Sequence, residues 1–185
     1  MKLGVVGNGM IVNRLLEDTR HLTDVEVRAL CVREQSLDKG RQLADRYHIR
    51  EIYTEYPVFL TRTDIDTVYI GIISSMHYVY AKEALKAGKN VICEKPFTTE
   101  YDEAKELIEI ARKKKLFLWE ACKIPYSRNF RAIKENLGMV GAVKLVQCNY
   151  SQYSSRYDAY QEQKVLPAFD PAFSGGCLYD INMYN

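Results

Sequence analysis

Few features in this chain point to a membrane, a metal or a nucleic acid. No apolar run in its 185 residues approaches the roughly 18 consecutive residues that span a bilayer. Met1 leads directly into the strand-like LGVVG without a secretory cleavage pattern, so a cytoplasmic protein is expected. The three histidines lie far apart and the five cysteines form no CxxC pair, so no metal site is expected. Cys31, Cys93, Cys122, Cys148 and Cys177 are odd in number, widely spaced and mostly inside apolar runs. That pattern predicts reduced, buried thiols rather than disulfides. Net charge is small as well: 26 Lys and Arg against 24 Asp and Glu leave +2, too weak a field to favour nucleic acid or anionic lipid. The run Lys113 to Lys115 reads as a solvated helix end suited to the negative pole of the helix dipole. A small molecule or a protein remains as the partner.

What the chain does contain is a regular alternation of two periods. Strand-length apolar runs, LGVVG (3–7), VEVRALCV (25–32), TVYIGII (67–73) and NVICE (90–94), are separated by segments with helical spacing of apolar residues. LFLWEA (116–121) supplies a further strand. Such alternation predicts an α/β fold with a doubly wound parallel sheet and crossover helices. Ser36 is placed to cap SLDKGRQLADRY, and Gly88 to end a helix whose Tyr78, Ala81, Ala84 and Leu85 share a face. Thr98 or Thr99 would open a helix through Lys114, with Ala104, Leu107, Ile108 and Ala111 facing inward. After residue 121 the texture changes. RNFRAIKENLG (128–138) reads as a helix, and GAVKLVQCNYSQYS (141–154) as one strand of a different, half-exposed antiparallel sheet. Helix-compatible spacing resumes in SGGCLYDINMYN. One strand without partners is not stable, so residues 1–121 are expected to form one domain and 122–185 the incomplete beginning of a mostly antiparallel α+β domain.

The first strand runs into Gly7-Asn8-Gly9-Met10-Ile11-Val12. Its two glycines fit the start of GxGxxG: one makes the tight turn and the next lets a pyrophosphate reach backbone amides at a helix N-terminus. Gly7, Gly9, Met10 and Ile11 are therefore candidate dinucleotide contacts. Val12 stands at the third glycine position, so helix and strand should pack slightly further apart. About 20 residues beyond the glycines an acidic residue would favour NAD and an arginine NADP. The stretch here is Cys31-Val32-Arg33-Glu34, in which Arg33 leans toward NADP and Glu34 keeps NAD open.

The apolar run of NVICEKPFTTE stops at adjacent opposite charges. In a parallel sheet, ligands bind beyond the carboxyl ends of the strands, so Glu94 and Lys95 should project into the nicotinamide cleft. His77, following Ser74 and Ser75 at the start of a helix, either lines that cleft or caps the helix. The glycine loop, the exit toward His77, AGKNVICEKP and the terminal GGCLYDINMY together resemble the glucose-fructose oxidoreductase and inositol dehydrogenase family, Gfo/Idh/MocA. The resemblance runs over essentially the whole chain. It implies a Rossmann-type domain followed by a mostly antiparallel sheet domain, whose members run much longer than this chain. It also implies hydride transfer between NAD(P) and a secondary alcohol or carbonyl of a sugar, polyol or related diol, and a homo-oligomer at full length.

By the same resemblance Lys95 of the EKP triplet lies beside the substrate hydroxyl and the nicotinamide. The family's second motif reads roughly GGxLxDxGxH. Gly175, Gly176, Leu178 and Asp180 match it, Asn182 replaces the glycine, and Tyr184 stands where the histidine would be. A tyrosine there resembles the branch with dimeric dihydrodiol dehydrogenase, in which tyrosine transfers the proton. The chemistry is reasonable in its own terms. A free phenol with pKa about 10 is too weakly ionised at neutral pH to be an effective base. A lysine cation about 4 Å away contributes on the order of 4 kcal/mol at an effective dielectric near 20, up to about three pKa units. Asp180, four residues before Tyr184, would share its helical face and position Lys95 or bind substrate. Two other readings stay open: a non-catalytic dinucleotide-binding regulator, because a galactose-pathway repressor uses the same architecture, and an inactive fragment that binds cofactor only.

Overall fold

The computed structural model describes residues 1–151 and 153–184, the side chain of Met183 excepted. The chain divides into two compact units, Met1–Glu120 and Ala121–Asn185.

In the first unit six strands form one sheet: β1 (Lys2–Val6), β2 (Glu26–Cys31), β3 (Glu51–Tyr53), β4 (Thr67–Ile70), β5 (Asn90–Glu94) and β6 (Leu118–Ala121). Their order is β3-β2-β1-β4-β5-β6. The β1–β2, β1–β4, β2–β3 and β4–β5 pairings are all parallel. The order reverses between β1 and β4, which opens a crevice above their carboxyl ends, as in the doubly wound Rossmann architecture. The helices α1 (Met10–Thr19), α2 (Leu37–Tyr47), α3 (Tyr56–Leu60), α4 (His77–Lys86) and α5 (Tyr101–Lys114) make the crossovers. Central strands covered on both faces must be apolar throughout, and every residue of β4 is buried. Leu3, Val5 and Val6 of β1 are 3% exposed or less. Ala81, Ala84 and Leu85 of α4 and Leu107 of α5 are fully buried in the core beside the sheet.

Several local expectations shift. The three-residue β3 lies outside the apolar runs read from the sequence, being half-buried and short. Ser36 precedes α2 but makes no side-chain cap; its carbonyl instead accepts a hydrogen bond from Asn8 Nδ2 at 3.2 Å. The helix after the EKP stretch starts at Tyr101, with Glu100 as its N-cap, and Thr99 donates its amide to Glu103 at 3.3 Å. Ile108 is 41% exposed rather than inward, because it lies on the rim of a shallow groove with Arg112, Leu116 and Phe117. Cys31 and Cys93 are buried as expected, whereas Cys148 and Cys177 are exposed. Both exposed thiols belong to the second unit, in which none of the described residues is buried.

That second unit contains α6 (Arg128–Asn136), α7 (Tyr157–Gln161) and α8 (Cys177–Asp180). Ser127 caps α6 by accepting the Phe130 amide at 3.2 Å. A 3-10 turn at Leu137–Val140 follows α6, and another at Asn182–Tyr184 follows α8. The alternating segment 141–154 is not a strand among its described residues. Alternation prepares a segment for a sheet, but a ladder needs a neighbour to take its N–H and C=O groups. Val143, Leu145 and Val146 remain 47%, 76% and 70% exposed. Among the described residues no helix is long and apolar enough to cross a membrane, and no group of three or more His, Cys, Asp or Glu side chains could hold a metal.

Candidate functional site

The crevice above β1, β4 and β5 is built first by glycines. Gly7 leaves β1 at φ +108 and donates its amide to the Cys31 carbonyl at 2.8 Å. A Cβ at this position would lie 2.3 Å from the Gly71 carbonyl oxygen, so both backbone freedom and close approach require glycine. Gly9 caps α1, and no atom lies within 4 Å of where its Cβ would be, leaving the turn open to an approaching group. The first turn of α1 carries no acidic side chain, so the positive pole of the helix is uncompensated. Open backbone at Gly9 and the first amides of α1, at Met10 and Ile11, fit a pyrophosphate.

Val12 is fully buried where the fingerprint has its third glycine. The space it needs comes from the facing chain. A Cβ on Gly71, just beyond β4, would lie 2.8 Å from Val12 Cγ2 and 2.8 Å from Tyr69 Cε1. The small residue that permits helix–strand contact has moved from the helix to the strand exit.

At the end of β2, Val32 is buried against Gly40 while Arg33 and Glu34 are exposed. Burial pushes the Tyr80 phenol up, and the nearby Arg33 charge offsets part of that rise. The Arg33 charge is thus felt at Tyr80 of α4. Ser74 begins a 3-10 turn after β4 and is half-buried.

His77 is only 1% exposed. Its Nδ1 is 2.8 Å from the Pro96 carbonyl and its Nε2 is 3.2 Å from that of Ile72. Desolvation holds its pKa below the usual value, against the opposing pull of the carbonyls. The ring therefore ties the exit of β4 to the turn after β5. It makes no side-chain cap for α4, whose N-cap is Met76.

Glu94, expected to project into the cleft, is 9% exposed. Its Oε1 accepts the Tyr69 hydroxyl at 2.6 Å and its Oε2 the Lys95 amide at 3.2 Å. Lys95 itself is half-buried and precedes a cis peptide bond to Pro96. The Phe97 amide donates to Glu120 Oε1 of β6 at 3.0 Å, and Cys93 Sγ lies 3.7 Å from the Phe97 carbonyl. The turn bearing Lys95 is consequently held by side chains from β4, α4, β5 and β6. Tyr69 and Gly71 lie inside the strand run TVYIGII and Glu120 inside LFLWEA. An isolated glycine in a buried apolar run is a signal of close backbone approach; the other two had none.

The glycine loop, Ser74, His77, Glu94 and Lys95 lie in the first unit, and Asp180 and Tyr184 in the second. In the second unit the backbone amides of Gly175 and Gly176 donate to Asp170 and Ala168 at 2.9 and 2.8 Å. A Cβ on Gly175 would lie 2.4 Å from the Pro167 carbonyl oxygen. Asp180 ends α8, and Tyr184 falls in the separate 3-10 turn, so the single helical face expected for the two residues is interrupted at Ile181. The Tyr184 ring stacks on Tyr150 with centroids 5.4 Å apart and planes at 28°.

Comparison with known proteins gives a consistent result. The family described as "oxidoreductase family, NAD-binding Rossmann fold" matches residues 1–121. A scyllo-inositol 2-dehydrogenase (NADP(+)), IolU, of Bacillus subtilis is 32% identical over 184 residues, covering 100% of this chain and 56% of that protein. A trans-1,2-dihydrobenzene-1,2-diol dehydrogenase of Xenopus tropicalis is 28% identical over 185 residues, covering 99% of this chain and 54% of its own. Among solved structures, KijD10, a 3-ketoreductase from Actinomadura kijaniata in complex with NADP and TDP-benzene, superposes with a TM-score of 0.70 at 29% identity. That superposition covers 75% of this chain and 42% of KijD10. The chain thus spans about half the length of the curated relatives it matches.

Proposed function

The chain belongs to the Gfo/Idh/MocA oxidoreductase family, and from that membership we propose that it supplies the cofactor-binding part of an NAD(P)-dependent oxidoreductase. Its reaction transfers a hydride between nicotinamide and a secondary alcohol or carbonyl of a sugar, polyol or related diol. The observation that carries the reading is the placement of Lys95 at the carboxyl end of β5, two strands from the glycine turn of β1. Relatives named for inositol and dihydrodiol oxidation, and a ketoreductase, support the substrate class. NADP is the preferred cofactor in this reading because Arg33 is exposed beyond β2 and can meet a 2′-phosphate.

When bound, the nicotinamide takes up or gives the hydride. The chain's residues do the rest. Gly7, Gly9, Met10 and Ile11 offer backbone to the pyrophosphate. Lys95 donates to the substrate oxygen and stabilises the charge that develops there as its proton leaves. Tyr184, at the histidine position of the family's second motif, accepts that proton in oxidation and returns it in reduction. Asp180, from the same motif, binds or orients the substrate. In this reading residues 1–121 form the cofactor domain and 122–185 begin the substrate domain, in a cytoplasmic homo-oligomer.

The test is kinetic, in the complete gene product. Lys95→Met and Tyr184→Phe are each expected to lower turnover by at least a hundredfold while NADPH affinity stays within a few-fold. Unimpaired turnover in Tyr184→Phe would remove Tyr184 from the mechanism. Failure of both NADH and NADPH to bind, measured by calorimetry, would end the dinucleotide reading altogether.

A further inference from the structure

We propose that Tyr69 is a positioning residue for Lys95, acting through the buried carboxylate of Glu94. The inference rests on the reading of Lys95 as the residue that meets the substrate oxygen. Tyr69 lies on β4 and Glu94 at the end of β5, in adjacent parallel strands. The tyrosine is 2% exposed and the glutamate 9%, so their 2.6 Å hydrogen bond is made away from solvent. The second oxygen of the same carboxylate accepts the backbone amide of Lys95. A rigid path therefore runs from the β4 backbone through the phenol and the carboxylate to the backbone from which the lysine side chain departs.

Three further observations make the path specific. The Tyr69 ring edge occupies space that a Cβ on Gly71 would invade, so the glycine at the strand exit sets the ring's position. Burial and the adjacent carboxylate push the Tyr69 phenol well above its ordinary pKa, so the hydroxyl stays protonated and remains a donor. The other groups around this turn have different tasks: the His77 ring meets the Pro96 and Ile72 carbonyls, the Cys93 thiol the Phe97 carbonyl, and Glu120 the Phe97 amide. None of these replaces the donor at Glu94 Oε1.

A hydrogen bond to a buried charge is expensive to leave unmade. Tyr69→Phe keeps the ring and removes only the donor, leaving Glu94 to relax and the Lys95 backbone with it. Steady-state kinetics of the complete gene product should show kcat reduced about tenfold with the KM for cofactor within twofold, because the glycine loop is untouched. Glu94→Gln, which changes the same path without depending on the folding of Tyr69→Phe, should give a similar split. The double variant should be no slower than the slower single one, as for two links of a single chain. The proposal is overturned by a Tyr69→Phe enzyme with kcat within twofold of the parent, by a cofactor KM that rises in step with the loss of kcat, or by effects that multiply. Lys95→Met separates the two levels. If it retains turnover, the lysine reading falls; if it is inactive while Tyr69→Phe is normal, only the positioning role falls.

Discussion

Substitution at Gly71 tests the packing that makes room for the glycine turn. No left-handed φ constrains this residue, so its requirement for glycine is one of space alone. An alanine methyl would lie 2.8 Å from both Val12 Cγ2 and Tyr69 Cε1, closer than carbon atoms approach in packed interiors. Overpacking of this kind costs about 2 kcal/mol. Val12→Ala alone deletes two fully buried methyl groups, worth about 0.8 kcal/mol each before the cavity is counted, so it also costs about 2 kcal/mol. Together the two changes place a small residue on the helix, as the full fingerprint does, and a methyl on the strand. The double variant should therefore lose only about 2 kcal/mol, with a favourable coupling of similar size, since the methyl enters the space the valine vacated. Tyr69 limits the rescue, because its ring edge remains in the way. Urea unfolding can be followed by the fluorescence of Trp119, the single tryptophan, which lies on β6 and stacks on Phe117 at 4.9 Å. Additive costs, or a Gly71→Ala protein within 0.5 kcal/mol of the parent, would refute the account of how the valine is accommodated.

Other perturbations give separate readings. Arg33→Ala should lower the ratio of NADPH to NADH affinity about tenfold, as expected for loss of one partner to a phosphate; an unchanged ratio in calorimetry would remove Arg33 from cofactor choice. His77 titrates below its ordinary value in the folded chain, so near pH 6.5 the unfolded state binds a proton that the folded state does not. Its contribution is fully present above about pH 6.5 and is lost as pH falls toward the folded value. His77→Gln should therefore flatten part of the fall in urea-measured stability between pH 7.5 and 5.5, and an identical pH slope in both proteins would contradict the burial argument. Burial pushes the Cys31 thiol up to about 12 and raises that of Cys93 as well, whereas Cys148 and Cys177 are exposed. A disulfide reagent at pH 8 should modify Cys148 and Cys177 quickly and leave Cys31 and Cys93 unreacted until denaturant is added. Rapid modification of Cys93 in the native chain would count against that assignment.

The parts of the fold that sequence revealed are those decided by local physics. A strand buried on both faces must be continuously apolar, which makes β1 and β4 legible, while the apolar ends of β2 and β5 mark those strands; Gly88, at φ +80, stops α4 as its position suggests. The positive φ of Gly7 and the open backbone of Gly9 follow from the same GxG that marked the loop. Failures occurred where a residue's state depends on a partner distant in the chain. The alternation of 141–154 was genuine, but a period of two is only an invitation to pair. Its place at the carboxyl end of a strand predicts that Glu94 projects into the cleft; a buried phenol on the neighbouring strand, at hydrogen-bonding distance, turns its carboxylate onto the protein instead. Val12 stands at the third glycine position, and the glycine that leaves room for its side chain lies 59 residues away in sequence, at the exit of β4.

These long-range contacts converge on the site because it lies where β1, β4 and β5 end together. Local sequence can place Lys95 at a strand end, but the role proposed for it also requires it to point consistently, and a long lysine side chain loses up to about 2 kcal/mol of rotamer entropy when fixed. The backbone beneath it can be made rigid more readily. Here the Lys95 amide is bound to Glu94, the Pro96 carbonyl to His77 and the Phe97 amide to Glu120, so three successive residues are each held by a different side chain. Such a turn carries the lysine's Cα with little freedom of its own, which confines the remaining entropy cost to the side chain. The adjacent charges at the end of the strand thus differ in what they do for the fold: the glutamate is turned onto the protein, where it accepts the Tyr69 hydroxyl and the Lys95 amide, and the lysine departs from the backbone so held.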